Sequence, residues 1–216
     1  MKKWFYIVFF VGWLLGLAGC SIPPDETIIF VGPESYITPL DQMIPDAWQS
    51  SFFSNFDSLP QGYYPPNIEG EYRISKKQFC TSNLGYDLSD SLDMYLRVVN
   101  QDNRLASVQF FEGGTVWTDT AFITGNDPWF SLYFKEKRAL VSYGTTHTHR
   151  RFVLFTGRKS EEGIHDLYFG TVILGADNGD DPYVGAFIPG WYFIYKDQDG
   201  LSENSDWFSH EEDEDE

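Results

Sequence analysis

The sequence predicts an all-β body, an antiparallel up-and-down barrel with a β-sandwich as the alternative, and three observations carry that expectation. Phe, Tyr and Trp make up 18% of the 216 residues, and aromatic side chains favour strands. From Glu69 onward, short apolar or alternating runs recur between turn residues, with no convincing long helix among them. The gaps between runs, such as Gln101-Asp102-Asn103, Gly113-Gly114 and Gly125-Asn126-Asp127-Pro128, are short enough for hairpins. Successive hairpins make a meander, and a meander has to close or stack to protect its edges.

The chain opens with a different kind of signal. Lys2 and Lys3 precede an apolar stretch from Trp4 to Leu15, and Leu17-Ala18-Gly19-Cys20 follows with small residues before a cysteine. The apolar run is shorter than the roughly 18 residues of a spanning helix, and its layout is that of a secretory signal peptide over residues 1–19. The quartet resembles the lipobox of bacterial lipoproteins. That resemblance implies lipidation at Cys20, which becomes the new N-terminus, and tethering to the membrane of the cell envelope, expected to be the outer membrane. Each buried methylene of an acyl chain adds about 0.8 kcal/mol, so several chains hold a protein that is anchored rather than embedded.

Residues 20–66 read as a Pro-rich tether, with Pro23, Pro24, Pro33, Pro39, Pro45, Pro60, Pro65 and Pro66 favouring extended, semi-rigid chain. Within it Trp48, Phe52 and Phe56 recur at every fourth residue after Pro45 and Asp46. The spacing predicts a short helix over 46–56 with one apolar face, and a helix so short must dock on the domain that follows.

The barrel domain is expected over 67–208. Its predicted strands are Glu71 to Ser75, Leu92 to Asn100, Leu105 to Glu112, Thr115 to Thr124, Trp129 to Phe134, Ala139 to Gly144, Phe152 to Thr156, Leu167 to Leu174 and Trp191 to Tyr195. Lys135-Glu136-Lys137 is read as one of the connections. The helix, then Gly70-Glu71-Tyr72, then the meander resemble lipocalin-like barrels. Those open with a helical or coil segment covering one end and carry Gly-x-Trp in the first strand; here Tyr72 stands at the tryptophan position. The resemblance implies a barrel that holds a small apolar ligand. The last residues, 209–216, are almost all Asp and Glu and are expected to form a disordered tail through self-repulsion.

Charge excludes one function class. A net charge of −17 repels nucleic acid and anionic headgroups, so no nucleic-acid partner is expected and membrane association rests on the lipid. With Cys20 acylated, Cys80 has no disulfide partner and reads as a small buried hydrophobe. The chain has no Gly-x-Ser-x-Gly, phosphate-loop or His-Glu-x-x-His motif, so no catalytic residue is assigned and enzyme chemistry is the lesser expectation.

Three groups of residues remain as binding candidates. Trp117, Trp129 and Trp191 are aromatic surfaces for a ligand such as a glycan ring or a small apolar molecule. Trp129 and Trp207 are the tryptophans expected to be exposed. Asp197 and Asp199, in Asp197-Gln198-Asp199-Gly200, form a turn whose carboxylates offer calcium hard oxygen ligands; the Asp177 to Asp181 cluster is a further source of oxygens. His147 and His149 share a strand face and are a zinc possibility, with His165 as a third ligand. The expected function is a lipid-anchored, non-catalytic binding protein of the envelope. The alternatives are an accessory subunit docking on an envelope protein or glycan, and a carboxylate-dependent hydrolase.

Overall fold

The computed structural model describes residues 43–56, 59–75, 77–84, 93–112, 115–142, 145–176 and 188–208, excepting the side chains of 138–142, 145–147 and 176. The segment expected to be a signal peptide, Cys20, the tether expected before residue 43, the Asp177 to Asp181 cluster and residues 209–216 lie outside them. No helix among the described residues is long and apolar enough to cross a membrane.

Among the described residues, helix α1 (Asp46–Phe53) precedes eleven strand segments: β1 (Tyr63–Tyr64), β2 (Gly70–Ile74), β3 (Lys77–Ser82), β4 (Met94–Asp102), β5 (Leu105–Glu112), β6 (Thr115–Asn126), β7 (Trp129–Ser142), β8 (Thr145–Lys159), β9 (Gly163–Ala176), β10 (Tyr192–Asp197) and β11 (Leu201–Asn204). From β4 to β9 each segment pairs antiparallel with the next. Two bent staves close the ring. β2 and β3 form one, interrupted at Ser75; β10 and β11 form the other, interrupted at 198–200. β10 pairs with β3, β11 pairs with β2, and both lie along β9. The result is the expected closed, eight-stave antiparallel barrel of lipocalin-like form.

Strand alternation sorts the side chains into two cores. Tyr72, Leu96, Val108, Phe110, Ile123, Phe130, Leu132, Phe134, Val153, Phe155 and Phe169 point into the lumen, and each is at most 2% exposed. The intervening residues Tyr133, Phe152, Leu154, Val172 and Ile194 face outward, where Phe52 and Phe56 of the helical segment cover them. Gly170 makes this approach possible: a Cβ there would lie 2.7 Å from the Phe52 ring and 2.9 Å from the Phe56 ring. Phe52 is fully buried and meets Phe152 and Tyr192 edge-on. The helix therefore does dock on the domain, but on its wall. The end of the barrel is crossed by the coil after it: Tyr63–Tyr64 pair parallel with Gly125–Asn126, the Ile68 backbone N–H donates to Gln101 Oε1, and Ile68 itself is fully buried in the lumen.

Several expectations need correction. Lys135-Glu136-Lys137 is not a connection; it lies in the middle of β7, which joins two predicted runs into one 14-residue strand. Even-numbered residues of β7 face the lumen, so Glu136 enters it, and its charge is met there. β8 is 15 residues long and begins at Thr145, well before the predicted Phe152. β3 was not predicted at all, because Lys77, Gln78 and Ser82 dilute its apolar pattern. Cys80 is exposed, not buried, since Phe79 takes the inward position and the next residue must face out. Trp207 is half-buried, stacked on Tyr95 with ring centroids 4.8 Å apart.

Candidate functional site

Two places in this barrel bury charge. The first lies in the lumen. Lys77 Nζ donates to Glu112 Oε1 at 3.2 Å, Arg151 donates from both terminal nitrogens to Glu112 Oε2 at 3.2 Å, and Arg151 Nε donates to Glu136 Oε1. The four side chains are on β3, β5, β7 and β8, and none exceeds 14% exposure. Burial opposes the Arg151 charge, but the two glutamates outweigh it and raise its pKa, holding the guanidinium ionised. Aromatic faces complete the setting: Arg151 lies 5.9 Å from the Phe110 ring centroid and 5.7 Å from that of Trp117, and Lys77 lies 5.6 Å from that of Tyr195. Two cations and two carboxylates balance in charge, although Glu136 Oε2 is buried with no hydrogen bond from any described residue.

The second place is on the wall, where β9 changes partner. Tyr168 to Val172 pair with β10, Gly163 to His165 pair with β11, and Asp166 and Leu167 lie between. At this gap the β10–β11 stave bends through 198–200, with Gly200 at φ 78°, a left-handed conformation that favours glycine. A groove of about 440 Å³ opens here, between the bend and the chain that follows α1. Its apolar sides include Phe56, Pro60, Trp129 and Tyr168; Asp166, Lys196, Asp197, Gln198 and Asp199 supply the polar ones. Trp129 is 44% exposed.

Asp197 is the unusual member. It is only 4% exposed, Ser202 Oγ donates to its Oδ2 at 2.7 Å, and Oδ1 receives no hydrogen bond from any described residue. Burial, with Asp199 beside it, pushes the Asp197 pKa up to about 7 against the pull of the Ser202 hydroxyl. Asp199 goes the other way: Ser75 Oγ donates to it at 2.5 Å and holds it below the usual carboxylate range. The two neighbouring carboxyl groups are therefore shifted in opposite directions, Asp197 upward by burial and Asp199 downward by the Ser75 hydroxyl.

The structure thus gathers Trp129, Asp197 and Asp199 into one groove and separates them from the other candidates. Trp117 packs in the lumen against Phe110, and Trp191 leads into β10 with its backbone bonded to Ile173 and Ile188. No set of three His, Cys, Asp or Glu residues arranged for a metal is found among the described residues. His149 faces the lumen on β8, and His165 lies opposite Arg158, nine residues further along that strand. At about 3.3 Å per residue the two are roughly 30 Å apart, so they cannot share a zinc ion. The sequence reading missed the lumen network and the groove-lining Asp166, Tyr168 and Lys196.

Fold and site together define a closed lipocalin-like barrel with a packed lumen and a ligand-sized groove on its wall. No family model, curated protein or solved structure matches the chain.

Proposed function

We propose that this is a lipid-anchored, non-catalytic binding protein of the cell envelope, whose barrel is a scaffold and whose ligand occupies the groove at Trp129 and Asp197. One observation carries the reading: the lumen, where a barrel of this form would hold an apolar molecule, is filled by aromatic and aliphatic side chains, while the wall groove combines the exposed Trp129 ring with the ionisable residues Asp166, Lys196 and Asp199. The anchor rests on Leu17-Ala18-Gly19-Cys20. Incorporation of a fatty-acid probe, lost in Cys20→Ala, supports it, and undiminished labelling of that variant removes it. Ligand binding is tested in the same lipidated protein. A small molecule that co-purifies with wild type and is absent from Trp129→Ala supports the groove, and retention by the variant contradicts it.

A second reading, a carboxylate-dependent hydrolase, is favoured by the Asp197–Asp199 pair, since a neutral acid next to an ionised base is what acid–base chemistry uses. Against it, the Asp197 carboxyl is buried, with Oδ1 out of reach of solvent, whereas carboxyls that act on a glycosidic bond face the substrate from either side, at least about 5 Å apart. Turnover of p-nitrophenyl glycosides by wild type, abolished in Asp197→Asn and Asp199→Asn, would replace the binding reading with this one.

A further inference from the structure

We propose that the ligand of the wall groove is a neutral oligosaccharide, at least two sugar units long, stacked on Trp129. The inference rests on the groove reading above and adds the chemical class.

The Trp129 indole stands between two hollows. One is the groove of about 440 Å³; the other, of about 310 Å³, is lined by Pro60, Gln61, Asn126 and again Trp129. Both fall in the size range of small-ligand sites, and Pro60 and Trp129 belong to both, so an elongated ligand has a continuous path across the ring. The shared rim is held in place by the barrel. Trp129 pairs with Asn126 and Arg158, the Lys159 N–H donates to Pro128 O at 2.8 Å, and Thr124 Oγ1 donates to Pro60 O at 3.0 Å. Gly62 lets the 60–62 segment lie against β6, because a Cβ there would collide with Gly125 O and the Asn126 side chain. A half-exposed indole fixed in this way loses little freedom when a ligand stacks on it.

The polar lining selects the ligand. Exposed amides stand at both ends, Gln61 and Asn126 in one hollow and Gln198 in the other. An amide both donates and accepts, as a sugar hydroxyl does, and a pyranose ring adds an apolar C–H face that packs on an aromatic one. A purely apolar molecule would strip water from these amides and replace it with nothing. An extended peptide gains affinity by pairing with a free strand edge, and β7, β8 and β9 beneath the groove are paired on both sides. An acidic polysaccharide is opposed by Asp166 and Asp199 and by the net charge of −17. A neutral oligosaccharide answers ring, amides and charge together.

A glycan array carrying neutral, sialylated and uronate-containing oligosaccharides, probed with the lipidated full-length protein in nanodiscs, tests the class. Isothermal titration calorimetry with the best-bound trisaccharide and its component monosaccharide tests the span, with empty nanodiscs as blank. Binding is expected to be confined to neutral glycans, with the trisaccharide at least about tenfold tighter than the monosaccharide because it reaches both hollows. Trp129→Ala should weaken it at least about tenfold and Trp129→Tyr by less, since a ring remains. Asn126→Ala and Gln198→Ala should each weaken it about three- to tenfold, the worth of one hydrogen bond, and Arg73→Ala, on a remote part of the barrel, should change nothing. Preference for acidic glycans, equal binding of monosaccharide and trisaccharide, binding unaffected by Trp129→Ala, or no glycan bound overturns the inference. A co-purifying molecule that is not a sugar and is lost in Trp129→Ala removes the glycan and keeps the groove. With no bound glycan and no such molecule, the groove reading falls as well.

Discussion

The lumen and the wall groove both bury carboxylates in a barrel of strong net negative charge, and they neutralise them in opposite ways. In the lumen Glu112 and Glu136 are paired in charge with Lys77 and Arg151, both supplied by the chain. At the bend Asp197 has the Ser202 hydroxyl as its partner, and burial raises its pKa to about 7, which favours the protonated form. A buried charge with a covalently attached partner is a fixed part of the fold, whereas one neutralised by an exchangeable proton follows the pH of the solution. The difference separates a network fixed by ion pairs from a carboxyl that titrates.

The largest expected effect breaks the lumen side. Arg151→Met leaves Glu136 buried without its cation and Glu112 with Lys77 alone, and should destabilise by about 3–5 kcal/mol, read from urea unfolding. The double variant Arg151→Met/Glu136→Gln, which keeps the Lys77–Glu112 pair, should recover most of that loss; no recovery would mean that Arg151 acts through packing on Phe110 and Trp117. Phe52→Ala should cost about 3 kcal/mol by opening a cavity over Gly170, while leaving the lumen ring contacts unchanged by near-ultraviolet circular dichroism.

The groove side responds to pH. Asp197 has its pKa raised from 3.8 to about 7 in the folded protein, so the stability it contributes is fully present below 3.8 and is lost as pH rises through 7. Melting temperature should therefore fall across that window, and Asp197→Asn should flatten the fall. Asp199, held low by Ser75, has the opposite sign: its contribution is present above 3.8 and lost as pH falls below. The smallest expected effect is that of Trp129→Ala on stability, within about 0.5 kcal/mol because the ring is 44% exposed. That change should still abolish ligand binding, a separation between stability and function that no lumen variant should show.

Alternation and turn chemistry made much of the barrel legible. The Asp127-Pro128 turn and the apolar runs around Leu96, Phe110 and Phe155 lie where the sequence puts them, while Gly113-Gly114 is outside the described residues. The docking of Phe52 and Phe56 followed from their spacing, but not the choice of wall over end, because that depends on Gly170 being far away in sequence and small. Glu136 was misread because a charged triplet resembles a turn. Continuing the even-numbered face of Phe130, Leu132 and Phe134 by one position would have placed it in the lumen. Trp129, Asp197 and Asp199 were each visible as candidates, yet their meeting was not. It requires β9 to change partners at Asp166, a property of strand pairing across the closed ring that no local pattern encodes.

The packed lumen is the claim on which the rest depends, and native mass spectrometry of the gently purified mature chain, before and after denaturing extraction, tests it most directly. The expected result is a protein mass free of any lipid-sized apolar companion, since Phe110, Phe130, Phe134 and Phe155 fill the space such a molecule would need. A stoichiometric apolar mass released only on denaturation would contradict it and return the ligand to the barrel interior.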